Sequence, residues 1–388
     1  MTLHKRLVQI AVEEESAEGT AEALVDADAT MAVYPDASYT SDIQKFKRDP
    51  ARASLAKLRS VIGKQLAQLS WRCEFKGSGS VGTEPAWNDA ILGCGFQKKT
   101  VSSIDIGAVS SGPFYPGETV NGGTSSATGR VVCEVENGDS VVHMIDVTGT
   151  WQSGETITGG TSGASATTSS TETADQGFAY VPDSSSPPSM TVARYMNGVR
   201  HLIHGARGNL SIPLTGGEPG FLQFAYQGVY NDPTDLALLS PTYETTVPPA
   251  FLNVALRLHG VDYSTEADFG DLSLDLGNTL TPLGGSGRAK GVKSFFIGGR
   301  DVTADIDPEM ELVADHDFYG RASAGSVGYL CAKWGSSAGN ILVIAAPTVE
   351  YGNPGDSDDG GIARLGLPLD ICSESLDDID DDLIIAMI

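Results

Sequence analysis

Leu69-Ser70-Trp71-Arg72-Cys73-Glu74-Phe75-Lys76 is the stretch that decides the class of fold. Leu69, Trp71, Cys73 and Phe75 alternate with Ser70, Arg72, Glu74 and Lys76. Successive side chains of a strand leave opposite faces, so period two puts the apolar set on one side and the polar set on the other. The alternation returns at Leu210, Ile212 and Leu214, at Leu222, Phe224 and Tyr226, at Leu252, Val254, Leu256 and Leu258, and at Leu272, Leu274 and Leu276. Strands of a parallel βαβ array are buried on both faces and do not alternate. Strand after strand with one wet face therefore predicts antiparallel sheet. Residues 191–204 read as a hairpin around Asn197-Gly198, a two-residue turn in which both positions need positive φ. Ile341–Ala346 and Leu383–Ile388 read as buried strands.

Two short helices are expected. Pro85 fits a first helical position after Thr83-Glu84, and Gly93 and Gly95 stop that helix. The second is placed at Asp307 to Phe318. The first forty residues hold a short strand, an acidic segment and Ala-rich polar sequence, and read as a loop or arm. Ser41 to Gln68 is the most basic region, with Lys45, Lys47, Arg48, Arg52, Lys57, Arg59 and Lys64. Leu55, Leu58, Ile62 and Leu66 have helical spacing but Gly63 interrupts it, so residues 41–68 are expected to form a long, partly ordered basic loop.

Composition limits function. The 388 residues include 50 Asp and Glu against 25 Lys and Arg, a formal charge of −25. At roughly 150 residues per domain, that length fits two or three domains, or one large β domain with an insertion. It can bury a sizeable core. So acidic a surface repels phosphate, which argues against a general nucleic-acid binder and against attachment to anionic membranes. Hydrophobic residues at 40% and charged residues at 19% fit a folded chain. Gly, at 46 of 388, exceeds the usual share of about 7% and points to many turns. The longest apolar runs, Ile341–Ala346 and Leu383–Ile388, fall far short of the ~20 residues that span a bilayer. Leu7-Val8-Gln9-Ile10-Ala11-Val12 is too short for a signal core and runs straight into Glu13, Glu14 and Glu15, so no secretory signal is expected. Cys73, Cys94, Cys133, Cys331 and Cys372 are odd in number and widely spaced, without CxxC. Free, partly buried thiols in a reducing compartment are expected.

Residues 105–177 stand apart. Pro116-Gly-Glu-Thr-Val-Asn-Gly-Gly-Thr-Ser-Ser-Ala127 recurs 37 residues later as Ser153-Gly-Glu-Thr-Ile-Thr-Gly-Gly-Thr-Ser-Gly-Ala164, with eight of the twelve positions identical. This is an internal repeat, each unit reading strand, Gly-Gly turn, strand. The Ser/Thr tract Thr167–Thr173 and the Pro/Ser stretch Pro182–Pro188 follow, as linkers of an inserted surface module would. The expected organisation is a β domain split into 1–104 and 178–388 by an inserted β module at 105–177.

Motifs that could carry chemistry have bland readings. Gly77-Ser-Gly79-Ser-Val-Gly82 matches GxGxxG, with Asp105 downstream. A Rossmann first strand does not alternate, Pro85 would sit inside the Rossmann helix, and no βαβ unit follows. A glycine turn between strand and helix is the reading taken. Asp356-Ser-Asp358-Asp359-Gly360 resembles part of a Ca²⁺ loop but lacks the distal Glu, so a solvated acidic turn is expected. The run Glu374, Asp377, Asp378, Asp380, Asp381 and Asp382 reads as a charged loop before the last strand. His201 and His204 are i, i+3 on a strand, so they face opposite sides and cannot share a metal. No GxSxG, HExxH, P-loop or paired Cys/His set is present. No catalytic, cofactor-binding or metal-binding residue is assigned, and no cofactor is expected.

Phe75-Lys-Gly-Ser-Gly-Ser-Val-Gly-Thr-Glu-Pro-Ala-Trp-Asn-Asp-Ala-Ile-Leu-Gly-Cys-Gly-Phe96 resembles a motif of the major tail tube proteins of long-tailed, siphovirus-like bacteriophages. Arg200 to Gly217 with Gly205-Ala-Arg-Gly208, Tyr226 to Pro249 with Asp232-Pro-Thr-Asp235, and Leu274 to Asn278 with Asp301 to Pro308 are similar in the same order. Lys5-Arg6-Leu7, Glu15, Gly19-Thr20 and Leu24 fit as well. The resemblance covers roughly residues 1–104 and 178–388. The repeat departs from it and looks like a small β module inserted in various phage virion proteins. The resemblance implies an antiparallel β-sandwich or barrel-like tail-tube fold with short helices. It implies six copies in a ring and rings stacked into a tube, a structural virion protein of the tail assembled in the host cytoplasm. Implied partners are further copies of itself, a tape-measure protein in the lumen, tail terminator and distal tail or baseplate proteins, and double-stranded DNA in passage, with no membrane. The 41–68 loop is expected to reach an adjacent, acidic subunit, and the 105–177 module to lie on the tube exterior.

Two other classes compete. One is a phage fibre or capsid decoration protein with carbohydrate-binding β modules, which the repeat and its Ser/Thr linker favour. The other is a glycosidase, which would need two carboxylates about 5–10 Å apart in an exposed cleft. No two of the 50 carboxylates are singled out by sequence, so the chain is expected not to be an enzyme.

Overall fold

The computed structural model describes residues 4–258, 260–262, 269–373 and 380–388. The strands in chain order begin with β1 (Val8–Glu14), β2 (Ser38–Phe46) and β3 (Val61–Glu74), then helix α1 (Asn88–Leu92) and β4 (Phe96–Asp105). The insert supplies β5 (Thr119–Gly122), β6 (Thr128–Val131), β7 (Val141–Thr148), β8 (Thr156–Gly159) and β9 (Ser165–Thr167). Then come β10 (Thr173–Pro182), β11 (Met190–Met196), β12 (Val199–Thr215), β13 (Phe221–Tyr230), β14 (Thr234–Asp235), β15 (Ala255–Leu258), β16 (Val261–Asp262) and β17 (Phe269–Asp275). The last are β18 (Thr279–Gly284), β19 (Val292–Gly299), β20 (Thr303–Pro308), helix α2 (Phe318–Ala324), β21 (Val327–Trp334), β22 (Leu342–Tyr351), β23 (Gly355–Asp359), β24 (Ile362–Ile371) and β25 (Ile384–Met387).

The fold is mainly antiparallel β, as the alternation predicts. One ladder runs β2–β3–β13–β12–β17–β20–β24–β22 and continues through β25, β10 and β4. It does not return to β2, so the sheet is open and not a closed barrel. Register follows burial. Ile212, Leu274, Ala304, Leu369 and Tyr351 lie opposite one another on five successive strands, and all are buried. One residue along, Arg72, Gln223, Ser211, Asp275, Thr303, Asp370 and Glu350 form the matching row on the wet face. A slip by one residue would exchange these rows, which is why the register is fixed. Under the apolar face Trp71 stacks on Phe224 and Tyr226 at 5.4 and 5.1 Å, and Phe75 meets Trp87 and Trp334 edge-on. Burying each such ring contributes about 2–3 kcal/mol relative to leaving it in water.

Asn197 and Gly198 have φ of 43° and 104°, and the hairpin β11–β12 forms around them. Leu222, Phe224 and Tyr226 are buried in β13, Ile341–Ala346 covers the first half of β22, and Leu383–Ile388 contains β25. All five cysteines are free thiols, four of them buried and Cys372 half-buried.

Five expectations change. Half of the basic segment 41–68 is strand: β2 and β3 pair from Ser38↔Ser70 to Phe46↔Val61, leaving 47–60 as the loop. Cross-strand bonding outweighs the weak helical spacing, and Gly63 lies under the Phe46 ring. The helix at 307–318 is absent. Asp307 and Pro308 end β20, where Asp307 accepts from the Gly270 N–H at 2.8 Å, and α2 begins only at Phe318. Pro85 precedes a turn, and α1 starts at Asn88. The strand read from Leu252 begins at Ala255, with Leu252 exposed. The N-terminal arm is part of the body. β1 pairs with β11, and the buried Glu15 carboxylate accepts from the Gly19 and Gly205 N–H groups and the Ser189 hydroxyl.

The insert grows from a stem. β4 and β10 pair antiparallel, with Ser103 opposite Thr173, so 105–172 stands in place of a hairpin turn. Its two repeat units are intertwined around a local two-fold axis. β5 pairs with β8 from Val120↔Gly159 to Gly122↔Ile157, a register unchanged when the units are exchanged. β6 pairs with β7, β9 is bonded to 106–110, and β7 returns to β4, so the ladder runs round the module. Phe114, Val120, Ala127, Trp151, Ile157 and Ala164 are buried in a core separate from the main one.

Candidate assembly surfaces

The open end of the ladder is the β2–β3 hairpin. Among the described residues β2 has β3 as its sole ladder partner, so its outer edge offers unpaired N–H and C=O groups. Residues 44–57 are exposed throughout. Phe46, Val61 and Ile62 are more than half exposed and Leu55 is fully exposed. Lys45, Lys47, Arg48, Arg52, Lys57 and Arg59 surround them. Lys47 pairs with Asp49 at 2.9 Å, and both are well solvated, so the pair contributes little. This end is basic and apolar on a chain that is acidic as a whole.

The wet face carries the row from Arg72 to Glu350 and a second row of Pro213, Ser273, Asp305 and Pro368. Its acids, Asp271, Asp275, Asp305, Asp370 and Glu350, are exposed. Arg72 is held by Asp36 at 2.8 Å. The face is polar and negative.

Three of the stretches that carry the family resemblance meet around Asn278. Its side-chain amide donates to the carbonyls of Cys94 at 2.7 Å and Gly208 at 3.0 Å, and its backbone N–H donates to Asn209. Arg207 donates to the Pro187 carbonyl and to Glu18. Lys293, with Ser294 and Arg207, lowers the Glu18 carboxyl to about 2, which ties the separate β18–β19 hairpin to the body. The glycine motif has a packing role. A Cβ at Gly77 would lie 2.1 Å from the Gly339 carbonyl and within 3 Å of Met387, and Gly79 has φ of 77°. Helix α1 starts six residues past Gly82, so the loop presents no helix N-terminus to a phosphate.

The other candidates do not converge. A cleft of about 520 Å³ lies beside Asn278, lined among others by Cys94, Asp183, Arg300, Asp380 and Asp382. Arg300 grips Asp382 with two bonds of 3.0 and 2.9 Å and reaches Asp380 at 3.4 Å, so one guanidinium holds both carboxylates in place. His201 lies against Tyr39 and His204 bonds Asn231, so each ring has its own partner. Asp356–Gly360 forms β23 and the turn of a hairpin, in which Asp358 accepts from the Gly361 N–H. Glu374, Asp377 and Asp378 lie outside the described residues. Among the described residues, no three His, Cys, Asp or Glu side chains cluster as metal ligands, and no helix is long and apolar enough to cross a membrane.

Sequence reading missed the roles of Glu118 and Glu155. Glu155 accepts from the backbone N–H groups of Gln152, Thr124 and Ser125 and from the Ser125 hydroxyl. Glu118 accepts the symmetry-related set from Tyr115, Thr161, Ser162 and the Ser162 hydroxyl. Each glutamate thus holds the turn of the other unit. Gly122 and Gly159 leave room for them, since a Cβ there would sit 2.8 and 2.7 Å from the carboxylate. The signal was the identity of Glu, Gly-Gly and Thr-Ser in both units. The module is also seated on the body. Val132, Cys133 and Ile145 pack with Cys331, Val343 and Ala345, and Arg257 pairs with Glu134 and Glu136 at 3.3 and 2.7 Å.

No protein-family model matches the chain, and no curated protein matches it.

Proposed function

We propose that this chain is the structural subunit of a bacteriophage tail tube, a non-enzymatic virion protein. Six copies form a ring, and rings stack around a tape-measure protein into a conduit that later carries double-stranded DNA. The observation that carries this reading is the open main sheet ending in the long, exposed β2–β3 hairpin. An exposed edge strand with apolar side chains is a liability in a monomer, and closure through neighbouring copies removes it. A head-to-tail interface of that kind gives rings if the rotation closes. The likeness of Phe75–Phe96 and the later stretches to tail tube proteins supplies the identity of the assembly. The polar, acidic wet face suits a channel wall, and the insert, leaving the body on its own stem, suits the exterior.

Negative-stain microscopy and light scattering of concentrated protein test the proposal. Hexameric rings or tubes are expected. A stable monomer at every concentration, unaffected by the tape-measure partner, would reject it. Discrete particles that bind glycans would instead favour a fibre or capsid decoration protein.

A further inference from the structure

Two groups of exposed apolar side chains lie far apart along the main ladder. One is on the β2–β3 hairpin, with Phe46, Leu55, Val61 and Ile62 among its lysines and arginines. In the other, beside β24, Met310, Leu312, Val313 and Ile362 stand 40–74% exposed. These four belong to one surface. The Met310 N–H donates to the Ala363 carbonyl at 3.0 Å, Glu309 bridges Arg364, and the Tyr319 hydroxyl donates to Asp356 at 3.0 Å. Segment 309–319 therefore lies against the β23–β24 hairpin. Asp315, Asp356 and Asp358 are exposed on it.

The two groups are separated by β13, β12, β17 and β20, and both are exposed in the same chain, so neither covers the other. Their charges are opposite. Two hairpins facing each other would bring lysines and arginines together, and two acidic surfaces would repel likewise. Only hairpin against acidic surface is complementary in charge while covering apolar groups on both sides. That pairing is heterologous and leaves each copy with one of each surface to offer.

We propose that the surface formed by 309–319 and the β23–β24 hairpin receives the β2–β3 hairpin tip of a second copy of this chain. This rests on the assembly reading above and names the surface at which the copies join. The lysines and arginines of the 45–59 segment face Asp315, Asp356 and Asp358, and Leu55 and Phe46 cover Met310, Leu312, Val313 and Ile362.

Charge reversal in the full-length protein tests it. Asp315→Lys with Asp356→Lys, and separately Lys57→Glu with Arg59→Glu, should each raise the concentration at half-assembly about tenfold or more, read by sedimentation velocity. The four substitutions combined should return it to within about threefold of the wild type, because the charges again oppose. Unchanged circular dichroism and thermal midpoint show that each variant folds. A Leu312→Ser, Val313→Ser variant, which leaves charge alone, should impair assembly at high salt as well as low. If Asp315→Lys with Asp356→Lys assembles as the wild type does while the hairpin variant fails, the receiving surface is elsewhere and the tube reading survives. If the combined variant is no better than its parents, the pairing is also overturned. A wild type that never assembles rejects both.

Discussion

Glu118 and Glu155 show how much one buried carboxylate can organise. Each is almost fully buried, yet each meets four donors. Burial alone would raise the Glu155 carboxyl. The N–H of Gln152 and the donors of Ser125 and Thr124 outweigh it and hold the group below its ordinary value of 4.5. A carboxyl lowered on folding adds stability that is present above the ordinary value and is lost as pH falls through the lowered one. The module should therefore keep its hydrogen-exchange protection from neutral pH down to about that ordinary value and lose it below. Glu155→Ala leaves four donors without an acceptor and should cost roughly 2–4 kcal/mol of module stability, and Glu155→Gln clearly less. Exchange rates across 105–177 check both. Equal protection in wild type and Glu155→Ala would show that the turn is held by its own backbone.

At the scale of elements, the β4–β10 stem decides how the insert relates to the body. Its two strands are adjacent and antiparallel, so a short turn can replace everything beyond them. Deleting Ile106 to Asp175 and bridging with a short Gly/Ser linker should leave a folded protein that still assembles. The separate core argues for this result. The shared packing of Val132, Cys133 and Ile145 on Cys331, Val343 and Ala345 sets its cost, since removing the module bares those residues. A deletion variant that cannot fold would make the module part of the core. The β2–β3 hairpin teaches the opposite lesson about legibility. Its distal part is wet on both faces, so Ser38–Phe46 shows little alternation and the pairing leaves almost no trace in the sequence.

For the whole molecule, the ladder sums small local choices into a field. Six copies at −25 each would carry −150 per ring, and the wet face holds Asp271, Asp275, Asp305, Asp370 and Glu350 on adjacent strands. DNA presents one phosphate charge per ~1.7 Å of duplex axis. A basic wall would bind the duplex at many points and hold it. An acidic wall keeps counterions and water between the surfaces and lets the duplex slide. A cryo-EM map of the tube should place this face on the channel, with Asp and Glu outnumbering Lys and Arg within one water layer of it. Equal numbers or a basic excess would reject the acidic lumen even if the tube exists, and the acids would then serve solubility on the outside.

The antiparallel class, the Asn197-Gly198 hairpin and the duplicated insert are legible in the order of amino acids. Alternation and turn chemistry are local, and the repeat is found by matching two stretches of a dozen residues. The rest depends on contacts between distant residues. Asp307 ends a strand because Gly270 offers it an N–H from a neighbouring strand, a fact absent from residues 307–318 themselves. Glu118 acts on a turn 43 residues away and Glu155 on one 31 residues before it. The acidic row from Asp275 to Glu350 exists only because register aligns four strands, and β2 is an edge only in the tertiary order of strands. Pairing between distant strands is a long-range choice, and the local pattern specifies which face of a strand is buried without naming its neighbour.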